Sequence, residues 1–108
     1  MGTNTKALAV RQPYAEQIAS GRKRIEFRTW NTHHRGPLAI VASLRLADGA
    51  SRREHGHLPR GVVVCVVDVV DVQGERGAYE WVLARPRRVR PVACKARLRL
   101  FNLNLKAV

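Results

Sequence analysis

The sequence predicts an α+β chain that is mostly β: a small mixed-topology β-barrel of five to six short strands, with two short helices plugging its ends. Three observations predict it. The chain has 108 residues, 45% of them hydrophobic, which is one domain (1–108) with one modest core and no need of staples. Its apolar residues fall in short runs, several with period two, separated by Gly, Pro, Asn and His clusters. Only two segments read as helix, and both are short.

In chain order, Ala7–Val10 is a short apolar strand. Pro13 then suits a first helical turn and Gly21 the residue after a helix end, with Tyr14 and Ile18 spaced i, i+4 between them. Arg24–Trp30 alternates as a strand. Ile25, Phe27 and Thr29 share one face, read as core, while Arg24, Glu26, Arg28 and Trp30 share the other. A Trp among mixed charges suits a groove that receives a flat, polar, anionic ligand. Asn31–Gly36 is a polar turn, and Pro37–Ala42 a third strand. Residues 43–60 contain Gly49, Gly56 and Pro59 and read as a long mobile loop. Gly61–Val72 is a strand whose continuous valines require cover on both faces. Tyr79–Ala84 is expected as the second helix, stopped by Pro86, with Trp81 and Leu83 in the core. Arg87–Ala93 and Arg97–Leu103 complete the strands.

Net charge is +12, and sixteen of the twenty cations are Arg. Guanidinium forks match phosphate bidentately and stack on bases, so this balance points to nucleic acid or another polyanion. A compositional bias would also enrich Arg, but it does not explain why Asp and Glu total only eight. Cys65 and Cys94 lie far apart, and no Cys/His spacing matches a zinc site. His33-His34 and His55-Gly56-His57 bring no third ligand and read as loop histidines, so no metal or other cofactor is expected. Asp68 and Asp71, three apart on a strand, point to opposite faces and make a poor carboxylate pair. The start of the chain, Met1 to Lys6, is polar, and no apolar run reaches the ~20 residues of a membrane span. A cytoplasmic location without membrane contact is expected, and no oligomeric state is specified.

Several motifs together resemble one family. Ala9-Val10-Arg11-Gln12-Pro13-Tyr14-Ala15, the GxKxxExR run from Gly21 to Arg28, Arg35-Gly36-Pro37-Leu38, Leu58-Pro59-Arg60-Gly61 and Leu100-Phe101-Asn102 are similar to the ASCH domain (activating signal cointegrator homology). The resemblance spans nearly the whole chain and implies a PUA-like barrel with an RNA-related cleft lined by the motif residues. Some bacterial relatives resemble hydrolases that remove acyl groups from modified cytidine, others are described as metal-dependent ribonucleases, and some eukaryotic members belong to coactivators. By this resemblance Lys23 takes the catalytic lysine position of the acyl-cytidine hydrolases. Their catalytic threonine falls at Glu26, which cannot copy a hydroxyl nucleophile, and their second-half Glu has no match. Loop 43–60 is short for the family.

Lys23, Glu26 and Arg28 are the first candidates, either as a binding and acid–base set, with Lys23 and Glu26 catalytic if the protein is an enzyme, or as an internal salt bridge at the barrel mouth. Arg11, Gln12 and Tyr14 open the first helix, where Arg11 would add charge, Gln12 would present an amide to a base edge and Tyr14 would stack or pack. Thr29, Trp30 and Arg35 form the next shell, with Trp30 a base-stacking platform or a barrel plug. Ser43 offers a hydroxyl. Arg85, Arg87, Arg88, Arg90, Lys95, Arg97 and Arg99 form a late basic sector, a phosphate track or a solvated edge, in which Arg88 and Arg90 are the chosen contacts. The expected function is nucleic-acid binding, of single-stranded RNA or a nucleotide in preference to duplex DNA, since no long recognition helix is present. The alternatives are a hydrolase acting on RNA or on an N4-acylated cytidine, and a protein-interaction adaptor.

Overall fold

The valine-rich segments organise the molecule. In the computed structural model, which describes residues 3–105, six strands and two short helices follow in the order β1 (Thr3–Gln12), α1 (Tyr14–Ala19), β2 (Ile25–Arg28), β3 (Gly36–Leu46), α2 (Arg52–His55), β4 (Val62–Glu75), β5 (Ala78–Ala93) and β6 (Phe101–Leu105). Residues 1, 2 and 106–108 of the expected domain span, with the first part of the polar start, lie outside the described residues. All six strands join one sheet in the order β2-β5-β4-β3-β1-β6. Among the described residues the only parallel pair joins β1 to β3, with Leu8 opposite Ile40; the rest are antiparallel.

The mostly-β class with two short helices matches the expectation, but closure does not. The sheet has two free ends, β2 and β6, and so is open rather than a closed barrel. It curls instead. β4 and β5 are long, and their register shifts three times, between Val63 and Cys65, Val66 and Asp68, and Val69 and Asp71. Each bulge bends and twists the hairpin. The curl gives the sheet two buried faces. On one, Leu8, Val10, Leu38, Ile40, Val67, Val69 and Trp81 meet Ala15, Ile18 and Ala19 of α1. On the other, Ala7, Ala39, Val41 and Val63 meet Val66, Val89, Phe101 and Leu103. The continuous valines of β4 are thus covered on both sides as far as Val69.

The expected helix at Tyr79–Ala84 is instead the start of β5, paired with β2 and β4. Its burial alternates, with Trp81 and Leu83 inside and Glu80 outside, and Tyr, Trp and Val favour a pleated, half-buried surface. Trp81 is fully buried, as expected, but from a strand. Pro86 does not stop a helix. Ala84 pairs with Asp68 and Arg87 with Val66, so Arg85 (φ 53°) and Pro86 sit in a bulge, where a residue without an N–H is tolerated. The turn before β5 needs glycine. Gly74 has φ 106°, and a Cβ there would lie 2.2 Å from the Ala78 carbonyl oxygen.

The stretch read as loop 43–60 is partly ordered structure. Its first four residues continue β3, and Gln12 pairs with Leu46. The second helix is here, a single turn over Arg52–His55 whose first N–H groups are capped by Ser51, with Glu54 N donating to its hydroxyl at 3.3 Å. The last strand starts later than expected, at Phe101, and residues 94–100 are irregular. No helix among the described residues is long and apolar enough to cross a membrane.

Candidate functional site

The loop between α1 and β2 places the GxKxxExR residues. α1 ends at Ala19, and Gly21 follows with φ 83°, a left-handed turn that glycine adopts without strain. The chain then reverses into β2, an edge strand only four residues long. Here the face assignment from the sequence is overturned. Glu26 is 7% exposed and points inward opposite Trp81, whereas Phe27 is 66% exposed and Thr29 is also exposed. An edge strand beside a cleft has no second layer over its outer face, so alternation alone does not tell which face turns inward.

Inside, Glu26 joins two cations. Its Oε1 lies 3.3 Å from Lys23 Nζ. Its Oε2 accepts from Arg28 Nε at 2.9 Å and lies 2.7 Å from Nη2. Arg28 Nη2 also donates to the Ala9 carbonyl of β1 (2.9 Å), which fixes β2 against β1. Lys23 Nζ donates to the Ile25 carbonyl. The same ammonium sits 5.6 Å from the Tyr14 ring centroid and 5.2 Å from that of Phe27, within cation–π range of both. These groups line a cleft of about 700 Å³ completed by Arg11, Ser43, Ala47 and Asp48. Arg11 Nη1 meets Asp48 Oδ1 at 3.3 Å.

Six of the residues selected from the sequence therefore converge on one cleft: Arg11, Tyr14, Lys23, Glu26, Arg28 and Ser43. The others do not. Gln12 is fully buried, accepting from the Glu16 N–H at Oε1 (2.9 Å) and donating from Nε2 to the Pro59 carbonyl (2.9 Å). Its amide is committed to holding α1 and the chain near Pro59, not free for a base edge. Trp30 packs edge-on against Trp81, with centroids 4.9 Å apart at 88°, and the Arg99 guanidinium lies 5.1 Å from its centroid. It plugs the fold rather than lining the cleft. Thr29 and Trp30 border a neighbouring depression with Tyr79 and Glu80, which meets the cleft only at Phe27 and Arg28. Arg35 donates to the Thr32 and His34 carbonyls and staples its own turn.

Three of the seven cations of the late basic sector are engaged in ion pairs. Arg85 and Arg87 both hold Asp68, at 2.6 and 3.0 Å. Arg88 forks onto both oxygens of Glu16, at 3.0 and 2.7 Å, tying β5 to α1. The Arg88 bond holds the Glu16 carboxyl below its ordinary value, and the bonds from Arg87 and Arg85 do the same for Asp68. Arg90 is exposed and forms no ion pair among the described residues. Burial pushes the Cys65 thiol up to about 12, consistent with a small core residue. Among the described residues no three His, Cys, Asp or Glu side chains gather where a cation could sit.

Phe27 and Asp48 are cleft residues that the sequence did not single out. The available signal for Phe27 was the charge of its neighbours: if Glu26 and Arg28 turn inward together, the residue between them lies at the rim.

No curated protein matches the chain. Among solved structures, it resembles a crystal structure of a mutant of ZmASCH from Zymomonas mobilis, with a TM-score of 0.61 at 14% identity over 82% of this chain and 75% of that one. The likeness is one of fold. The sequence pattern of the ASCH domain matches residues 8–92, which takes in the whole cleft. The chain belongs to the ASCH domain family.

Proposed function

We propose that the cleft seats one unstacked nucleotide of a single-stranded RNA. The observation that carries this reading is the convergence of Lys23, Arg28 and Arg11 with two exposed rings, Tyr14 and Phe27, in one depression. Aromatic faces beside cations suit a base with its phosphate, and stacking on such a ring is worth roughly 1–3 kcal/mol per base. Arg11 and Lys23 supply charge for the phosphate, and Glu26 and Ser43 offer acceptors for a base amino group. The family membership and the excess of cations support the same partner.

The test is a titration of labelled single-stranded RNA into wild type, Lys23→Ala and Arg28→Ala. Each variant is expected to bind at least tenfold more weakly, about 1.4 kcal/mol, with near-ultraviolet circular dichroism showing the fold retained. Unchanged affinity in both variants would remove the cleft from the account.

One observation favours a second reading, a hydrolase acting on RNA or on an acylated cytidine: Lys23 and Glu26 lie side by side in the cleft, at 3.3 Å. Both Glu26 oxygens are already paired with cations, so proton abstraction would first require one to be released. Product formation from acylated cytidine or RNA that is lost in Lys23→Ala would favour this reading over simple binding.

A further inference from the structure

The cleft continues beyond Ser43. A second depression of about 910 Å³ shares Ala9, Arg11 and Ser43 with it, so the two form one path across the molecule. Its far wall is the end of β5 and the irregular stretch that follows. Four cations border it, Arg11, Arg45, Lys95 and Arg97, and no Asp or Glu among the described residues lines it. Arg45, Lys95 and Arg97 are exposed and form no ion pair among the described residues. They differ in this from Arg85, Arg87 and Arg88, whose charge Asp68 and Glu16 already satisfy. Arg11 has a carboxylate partner, Asp48, but that side chain is 93% exposed and its bond is long, so a phosphate can displace it at little cost.

The groove is also apolar between its charges. Leu98 is 92% exposed and Leu44 is 74% exposed, and both border the groove, where exposed apolar surface marks an interaction site more often than scattered leucines do. Unpaired cations around apolar surface match a sugar–phosphate chain, which presents anionic oxygens at its edge and ribose and base faces between them.

We infer that this groove carries the backbone of the nucleotides flanking the one in the cleft, so that a single RNA strand runs from the cleft past Ser43 with phosphates on Arg45 and Arg97. The inference rests on the reading of the cleft as a nucleotide seat. It moves the phosphate track from Arg88 and Arg90 to a surface where charge is both unspent and continuous with the cleft.

The experiment uses two ligands and two variants. Mononucleotides, followed by amide chemical shifts, report the cleft alone, and a mixed-sequence nine-nucleotide RNA, followed by anisotropy over a salt series, reports cleft and groove together. Arg45 and Arg97 make no side-chain hydrogen bond among the described residues, so the Arg45→Ala/Arg97→Ala double variant should fold normally, as an unchanged urea midpoint would verify. That variant is expected to bind the nine-nucleotide RNA about tenfold more weakly, with the salt slope reduced by about 1.4 for two lost phosphate contacts, and to bind mononucleotides like wild type. Lys23→Ala should weaken both ligands. If the double variant matches wild type on the longer RNA while Lys23→Ala does not, the groove assignment falls and the cleft stands. If Lys23→Ala matches wild type on both ligands, the cleft reading falls and takes the groove with it. An acidic nine-residue peptide that displaces the RNA at equal concentration would give the groove to a protein partner and overturn the assignment.

Discussion

Both oxygens of Glu26 are occupied, one by Lys23 and the other by Arg28, in a side chain that is nearly buried. The pairing serves the fold and the cleft at once. It holds two cations in a semi-enclosed space where neither would be stable alone, and it aims them at the same volume. Deleting the carboxylate leaves two cations facing each other without compensation. Removing one partner from a fully buried pair costs about 3–5 kcal/mol. Lys23 and Arg28 keep some solvent contact, so Glu26→Ala is expected to lose about 2–3 kcal/mol in urea unfolding. A loss below about 0.5 kcal/mol, the size of a surface substitution, would mean that Glu26 does not organise the two cations. The GxKxxExR run announced this triad because the three groups are close in sequence. It could not announce Gln12, whose partners near Pro59 are reached only through the folded chain.

At the scale of elements, Gln12 links three of them: the end of β1, the first turn of α1 and the chain leading to β4. The Glu16 N–H reaches its Oε1, the Pro59 carbonyl takes its Nε2–H, and Ala47 N donates to its backbone oxygen at 2.7 Å. Gln12→Ala would strand a donor at the helix start and an acceptor near Pro59, each costing about 1–3 kcal/mol when buried. A total of about 3 kcal/mol is expected, with faster hydrogen exchange confined to residues 47–60 and the first turn of α1. Exchange that rises evenly across the sheet would show that Gln12 acts on the core as a whole. The central strands β1, β3 and β4 and the helix α1 were legible because their patterns are local: apolar runs, Pro13 before the helix and Gly21 after it. The errors came where local pattern is ambiguous. Tyr79–Ala84 has apolar residues at both helical and strand spacings, and only pairing with β2 and β4 decides between them. β2 alternates cleanly, yet which face turns inward depends on the cleft beside it. The single turn of α2 carried a readable sign, the Ser51-x-x-Glu54 spacing of a helix start, obscured by the glycines and prolines around it.

Across the whole molecule the charges divide into two populations. Cations around the cleft and groove face solvent or pair with Glu26 or Asp48 at the cleft, whereas Arg85, Arg87 and Arg88 clamp β5 to β4 and to α1 through Asp68 and Glu16. The clamps make stability depend on acid. Asp68 is held below its ordinary value of 3.8, first by Arg87 and then by Arg85, and Glu16 is held below 4.5, chiefly by Arg88. A carboxylate whose folded value is depressed contributes stability that is complete above its unfolded value and lost as pH falls through the folded one. Unfolding midpoints are therefore expected to hold steady from pH 7 to about 5 and to decline below about pH 4.5. Part of that decline is general, because every proton bound adds to a chain already at +12. The two contributions separate in the Glu16→Gln/Asp68→Asn double variant. It lacks the depressed carboxylates but keeps the general repulsion, so its midpoint should be lower than wild type at pH 7 and should fall less steeply into acid. A variant curve parallel to that of wild type from pH 7 to 3 would assign the whole acid response to net charge and leave the two clamps without energetic weight.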